Sequence, residues 1–151
     1  MDTLDEEKEI KVLAEEGKII LSMRAKIPEL RGRCEGCGGA CCGIVPFSRW
    51  EWEQIEDKRQ AISPTCPYLE DGQCAIYDKR PIICRLFGQP NARRLLECKH
   101  KKSGCVKIVG KALTPAQIER IGKRYRRLID GAGKYYGPFA DVFDIIHLHQ
   151  R

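Results

Sequence analysis

The sequence predicts a mainly α-helical fold with a small β-hairpin, in a single small domain organised around a cysteine-ligated metal centre. Nine cysteines in 151 residues predict the centre, because clustered thiolates are the ligands of zinc and of iron–sulfur clusters. Apolar residues at three- and four-residue steps predict the helices. The length predicts one domain over residues 1–151, with a cysteine-cluster core at residues 34–105 and flanking helices within 1–30 and 113–148.

An N-terminal helix is predicted over residues 5–26. Its apolar face is formed by residues at helical spacing: Ile10, Leu13, Gly17, Ile20 and Leu21. Pro28 ends the helix, because the residue before a proline avoids the α conformation. A Gly-rich loop from Arg33 to Gly43 then carries four cysteines, and its glycines allow the backbone to wrap closely around an ion.

A second helix and a hairpin follow the loop. Ser48 and Glu51 have the spacing of a capping box, which predicts a helix that runs to the Ser63-Pro64 break and carries Trp52, Ile55 and Ile62. Residues 68–77 are predicted to form a hairpin, because Asp-Gly fits the centre of a type I′ turn. In that register Leu69 opposes Cys74 and Cys66 opposes Tyr77, so both cysteines project from one ribbon.

The remaining helices lie in the second half of the chain. Pro81 and Gly88 bound a predicted short helix that contains Cys84, and residues 89–112 form a basic stretch with no predicted regular structure. Thr114-Pro115-Ala116-Gln117 is a capping box, and the helix it starts ends at Gly131. The apolar face of this helix is formed by Ile118, Ile121, Tyr125, Leu128 and Ile129. A last helix is predicted from about residue 138, and its apolar face is formed by Phe139, Val142, Phe143 and Ile146.

A disulfide framework is the competing interpretation of the cysteines. It requires an oxidising compartment and usually an even cysteine count in a shorter chain. The N-terminus is acidic and lacks the features of a signal peptide, and no segment approaches the length of a membrane span. We therefore predict a cytoplasmic protein with reduced cysteines and no membrane association.

The cysteines stand in an ordered series of motifs. The series runs through Cys34-x-x-Cys37-x-x-x-Cys41-Cys42, Cys66-Pro67-Tyr68-Leu69, Gly72, Cys74-x-Ile76-Tyr77 and Arg80-Pro81-x-x-Cys84-Arg85-x-Phe87-Gly88. In this order the motifs resemble the YkgJ-like, or CxxCxxCC, cysteine-cluster family, whose members are described as zinc- or iron-chelating domains. Leu96-x-Cys98 and Gly104-Cys105 are similar to an extension seen in some members. The resemblance implies bound metal and a largely helical domain.

All nine cysteines are candidate metal ligands. The set is Cys34, Cys37, Cys41, Cys66, Cys74 and Cys84, joined by Cys42, Cys98 and Cys105. Adjacent side chains diverge, so Cys41 and Cys42 are not expected to share one mononuclear zinc, and one of them serves a second site or stays unligated. Zinc and an iron–sulfur cluster both accept four cysteinates, and richness in thiols favours the cluster. His100 could replace a cysteine, although a solvated histidine in the basic loop is the favoured interpretation, and His147 and His149 are predicted to lie at the polar end of the last helix.

Several functions fit such a centre. The first is a metal or cluster protein acting in redox, metal handling or maturation of a protein partner. A cluster-dependent enzyme is an alternative, because some larger proteins with this pattern resemble flagellin lysine methylases, and a redox sensor with Cys42 or Cys105 as the oxidised thiol is another. No phosphate-binding loop or nucleophile motif is present.

The net charge of +6 raises a nucleic-acid alternative. A zinc-stabilised binder would use two basic groups as phosphate contacts: Arg93, Arg94, Lys99, Lys101 and Lys102, with Lys123, Arg124, Arg126 and Arg127. Aromatic residues do not interleave with these charges, which favours two solvated clusters. Four thiolates around zinc also carry about −2, so part of the basic excess balances the metal sites. Arg80 and Arg85 either stabilise cluster charge or bind an anionic ligand near Cys84, or they form salt bridges to nearby acids such as Asp78.

Overall fold

A computed structural model of the chain describes residues 3–31, 44–71, 73–87, 89, 107–108 and 110–149. In these ranges the chain is mainly helical, as predicted. The α-helices are α1 (Thr3–Lys26), α2 (Arg49–Glu53), α3 (Ile82–Phe87), α4 (Pro115–Gly131) and α5 (Ala140–His149). None of these helices is long and apolar enough to cross a membrane.

Four strands of two residues each form two small antiparallel ladders within the described ranges. They are β1 (Leu30–Arg31), β2 (Leu69–Glu70), β3 (Gln73–Cys74) and β4 (Lys107–Ile108), and β1 pairs with β4 while β2 pairs with β3. The β1–β4 pair places Leu30 opposite Ile108. The sequence predicted no regular structure around Ile108, because a two-residue strand whose partner is distant in sequence has no local pattern to reveal it.

Two apolar clusters hold the described elements together. The first lies between α1, α3 and α4 and contains Ile20, Met23, Ile27, Ile82, Leu86, Leu113, Ile118, Ile121, Tyr125 and Ile129. The second contains Val45, Phe47, Trp52, Ile55 and Tyr68. Burial of these side chains away from water is the main term that stabilises the helices. The short helix α3 lies between the two clusters, because Ile82 and Leu86 face the first and Cys84 packs on the second.

Helix α1 has the predicted length but only half of the predicted face. Gly17 and Ile20 are buried, whereas Ile10 is 67% exposed and Leu21 is 51% exposed. The buried positions of α1 begin at Glu16, and in the turns before it Glu9 pairs with Arg49 of the next helix at 3.7 Å. The Glu16 carboxylate caps the next helix by accepting a hydrogen bond of 3.0 Å from the Trp50 backbone N–H.

Helix α2 starts as predicted and ends early. Both bonds of the capping box form, from Glu51 N–H to Ser48 Oγ at 3.2 Å and from Ser48 N–H to Glu51 Oε1 at 3.0 Å. The helix ends at Glu53, so the predicted extension to residue 63 is wrong, and Ile62 is fully exposed. The chain turns away instead, and the Ala61 N–H bonds to the carbonyl of Pro138 at 2.9 Å.

The C-terminal helices agree with the sequence. Helix α4 begins with the predicted capping box and buries Ile118, Ile121, Tyr125 and Ile129. Phe139 is buried before α5, and the Phe143 ring stacks on Tyr135 with centroids 5.5 Å apart. The side chain of Ile146 lies outside the described part of the chain.

Candidate metal centre

Three of the predicted ligands lie in the described residues. Cys66 precedes β2, Cys74 ends β3 and Cys84 lies in α3, and all three are half-buried thiols that form no disulfide. The other six candidates fall outside the described residues: Cys34, Cys37, Cys41, Cys42, Cys98 and Cys105. His100 and the basic residues between 93 and 102 fall there too, so the geometry of the site is built from the three thiols alone.

The β2–β3 ladder sets the position of Cys74. The predicted register is observed, since Leu69 lies opposite Cys74 and Glu70 lies opposite Gln73. The ladder is limited to these four residues, and Gly72 of the intervening turn lies outside the description. The predicted pairing of Cys66 with Tyr77 is wrong, because Tyr77 begins a 3-10 helix (Tyr77–Lys79) and the Cys66 carbonyl accepts from Leu69 N–H at 3.1 Å in a local turn.

Tyr68 and Arg59 hold the segment that carries Cys66. The Tyr68 ring is buried in the second cluster, and its hydroxyl donates to the Asp57 carbonyl at 2.7 Å and accepts from Arg59 N–H at 3.0 Å. The Arg59 guanidinium donates to the Pro67 carbonyl at 3.2 Å and pairs with Asp57 and Glu70. Asp57 and Arg59 therefore hold Pro67 and Tyr68, the two residues between Cys66 and β2, in place.

Glu51 holds the helix that carries Cys84. Its Oε2 atom accepts a hydrogen bond of 2.7 Å from the backbone N–H of Ile82, the first residue of α3. Its Oε1 atom accepts from the Tyr125 hydroxyl at 2.5 Å. Glu51 has no exposed surface, and burial raises the pKa of this carboxyl above its ordinary value. One buried side chain thus joins α2, α3 and α4 beside a cysteine.

The three thiols lie close enough to influence one another. Burial raises the pKa of Cys66, and negative charge on Cys74 raises it further. Burial also raises the pKa of Cys84, which charges on Cys66 and Cys74 increase again while the nearby Arg80 opposes them. Cys66 and Cys84 pack against the same apolar cluster. The segment around the β2–β3 ladder and helix α3 therefore place these three cysteines near enough for their charges to act on one another.

This arrangement fits part of a thiolate metal site. Deprotonated thiols that are half-buried and near each other repel, and a bound cation would remove that cost. Within the described ranges, no three His, Cys, Asp or Glu side chains form a group that could hold a metal ion by themselves. The described thiols therefore fit as partial ligands, and at least one further ligand would come from the other cysteines.

Arg80 and Arg85 make no salt bridges within the described part of the chain. The Arg85 guanidinium donates to the backbone carbonyls of Asp78 at 2.7 Å and Arg80 at 3.0 Å. Arg80 donates to the Tyr77 carbonyl at 2.9 Å and lies 3.9 Å from the centroid of the Tyr77 ring. The predicted salt bridge to Asp78 is wrong, because Arg85 reaches the backbone of that residue and not its carboxylate.

A comparison with protein-family models decides the identity of the cysteine core. The model named CxxCxxCC, described as a "putative zinc- or iron-chelating domain", matches residues 33–106. Residues 33–106 form a CxxCxxCC domain. The resemblance predicted from the motifs is confirmed, and the CxxCxxCC domain includes all nine cysteines. The β2–β3 ladder lies within the matched residues, whereas β4 lies just after them. No curated protein and no solved structure matches the chain.

Two residues that hold the described cysteine segments were not predicted as part of the site. Glu51 was recognised only as a helix cap, and Arg59 was not singled out. Their roles depend on contacts between segments that are distant in sequence. The only local signal was the capping box, which predicted that Glu51 turns back towards Ser48.

Proposed function

We propose that this chain binds an iron–sulfur cluster or zinc through its clustered cysteines, in the reducing cytoplasm, and acts in redox, metal handling or maturation of a partner protein. The observation that carries the proposal is the CxxCxxCC match, within which the charges of Cys66, Cys74 and Cys84 act on one another. A cluster would supply electron transfer, and zinc would supply a structural cross-link.

An iron–sulfur cluster is the preferred form of the centre. The sequence has nine cysteines and three histidines, and this richness in thiols favours a cluster over zinc. The positive charge of Arg80, which acts on the half-buried Cys84 thiol, also suits a site whose thiolates carry excess negative charge. In this form the residues around the site would exclude water from one side and hold the thiols in place.

The test is the metal and acid-labile sulfide content of protein purified without oxygen and without added metal, with an absorption spectrum. Iron with sulfide and absorbance at about 400 nm, as expected for thiolate-bound clusters, supports an iron–sulfur cluster. Zinc without sulfide supports the structural alternative. Protein that contains neither metal, and that takes up neither during anaerobic reconstitution, contradicts the proposal.

The exposed basic residues of α4 support the nucleic-acid alternative less well than the cysteines support a metal centre. Lys123 pairs with Glu119 at 3.0 Å and Arg126 pairs with Asp130 at 3.7 Å, both one helical turn away. These pairs favour a solvated helix surface, since acids lie among the bases that would contact phosphate. We therefore rank metal-centred functions first.

A further inference from the structure

Arg24 of α1 is a half-buried cation with two buried nitrogen atoms that have no hydrogen-bond partner. Its guanidinium lies 5.5 Å from the centroid of the Trp50 ring. The Nε and Nη2 atoms are buried, and neither has an acceptor within the described part of the chain. Buried donors without acceptors lose their hydration and gain nothing in return, so a protein rarely retains them unless another partner is present in the functional state.

Arg24 belongs to a group of three guanidinium side chains. Helix α1 packs against α3, and the Arg85 guanidinium donates to the Arg80 carbonyl at 3.0 Å. Burial lowers the pKa of Arg85, and the positive charges of Arg24 and Arg80 lower it further, while Glu51 opposes them. Arg85 follows Cys84 in α3, and Arg80 is the positive charge that acts on the Cys84 thiol. The group therefore extends from α1 to the cysteines.

No salt bridge neutralises this group among the described residues, since none of the ion pairs there includes Arg24, Arg80 or Arg85. Arg80 and Arg85 are instead fixed by backbone carbonyls, which orient them without cancelling their charge. The Glu51 carboxylate is a negative charge that acts on Arg85, but burial raises the pKa of Glu51 and so disfavours its charged form. The repulsion between the three cations would fall if a negative group were bound close by.

We propose that Arg24, Arg80 and Arg85 form a cationic cluster whose counter-charge is the negative thiolate–metal unit of the CxxCxxCC domain. This inference rests on the proposed function. Four thiolates with zinc carry a net charge of about −2, so a neighbouring cationic cluster stabilises the loaded site over the empty one. Arg24 extends the metal site to a helix that lies outside the family match.

Arg24 is the cleanest position for a test. Substitutions of Arg80 or Arg85 would also remove hydrogen bonds to the backbone around Cys84, whereas no hydrogen bond of the Arg24 guanidinium is recorded among the described residues. Arg24→Met keeps an unbranched stem against Trp50 and removes the charge. Arg24→Lys keeps the charge. Lys26→Met removes an exposed charge from the same turn of α1 and is the matched control.

The experiment measures the affinity of the full-length apoprotein for Zn²⁺ by competition with a chelator, together with the unfolding midpoint of the metal-free protein. We expect Arg24→Met to weaken zinc binding by about tenfold, at the lower end of the effects seen for groups that support metal ligands. Its metal-free midpoint should stay unchanged or rise, since two buried donors without acceptors are removed. Arg24→Lys should restore most of the affinity, and Lys26→Met should match the wild type.

The outcomes separate this inference from the proposed function. Zinc affinity of Arg24→Met equal to that of the wild type overturns the cationic cluster alone. A lower metal-free midpoint, with an affinity loss that Arg24→Lys does not restore, assigns Arg24 to packing and overturns it as well. Failure of the wild type to bind zinc or to assemble a cluster contradicts the proposed function, and the inference falls with it.

Discussion

Glu51 Oε2 accepts a 2.7 Å hydrogen bond from the backbone N–H of Ile82, 31 residues away in sequence. Ile82 is the first residue of α3, and Cys84 lies two residues later on the same short helix. The opposite carboxylate oxygen is held by Ser48 N–H and the Tyr125 hydroxyl. The buried Glu51 of α2 thus links α3, which carries the candidate ligand Cys84, to Tyr125 of α4.

Glu51→Ala is expected to destabilise the protein by about 3 kcal/mol, because it leaves several buried donors without an acceptor. The donors are those of Ser48, Ile82 and Tyr125. Urea unfolding of the metal-free protein measures the change. Glu53→Ala, at an exposed position of the same helix, is the control and should change the free energy of unfolding by less than about 0.5 kcal/mol. Equal effects of the two substitutions would contradict this role of Glu51.

Glu51 also predicts a pH dependence. Burial raises the pKa of its carboxyl above the ordinary value of 4.5, so the folded state binds this proton more tightly than the unfolded state. Its contribution to stability is therefore present below pH 4.5 and is lost as the pH rises through the higher folded pKa. Glu51→Gln cannot ionise, and its free energy of unfolding relative to the wild type should rise over that range. A difference that is constant with pH would show that the folded carboxyl has an ordinary pKa.

Gly17 allows α1 to contact Trp50. A Cβ atom at this position would lie 2.4 Å from Trp50 Nε1, so Gly17→Ala should separate α1 from α2 and destabilise the protein by about 1–3 kcal/mol. Gly122→Ala is the matched helical control. Its Cβ would lie 4.0 Å from the nearest atom of Leu86, and it should stabilise by about 0.5–1 kcal/mol through helix propensity. Thermal unfolding of both variants checks the opposite signs, and a neutral Gly17→Ala would show that the contact relaxes freely.

Cys74→Ser should weaken zinc binding to the apoprotein by more than about tenfold, because a ligand of the proposed centre is removed. Ala75→Ser adds a hydroxyl at the neighbouring exposed position and keeps the thiol, so it should bind like the wild type. Chelator competition measures both affinities. Wild-type affinity in Cys74→Ser would exclude this cysteine from the ligand set.

Local patterns predicted much of the fold. The capping boxes at Ser48 and Thr114 each place a side-chain oxygen and an acid or amide three residues apart, and both starts were correct. The Leu69–Cys74 register followed from the intervening Asp-Gly pair. These features depend on residues within one turn of each other, so the sequence contains all of the information that they need.

Contacts between distant segments were missed. The bond from Ile82 N–H to Glu51 and the two buried nitrogen atoms of Arg24 depend on how helices pack, which no local spacing reveals. The end of α2 was placed too late because Ile62 fits a helical period, although the chain leaves the helix after Glu53. The same limit applies to the site, where the motifs predicted candidate ligands but not the residues that hold the segments around Cys66 and Cys84.

The most direct test of the central claim is X-ray absorption at the metal edge of protein purified without oxygen. Cysteine ligation predicts a nearest shell of about four sulfur atoms, at about 2.3 Å if the metal is zinc. In Cys84→Ser, which removes the thiol that α3 positions, that shell should lose a sulfur or the metal should be lost altogether. A nearest shell made only of oxygen and nitrogen in the wild-type protein would contradict the account.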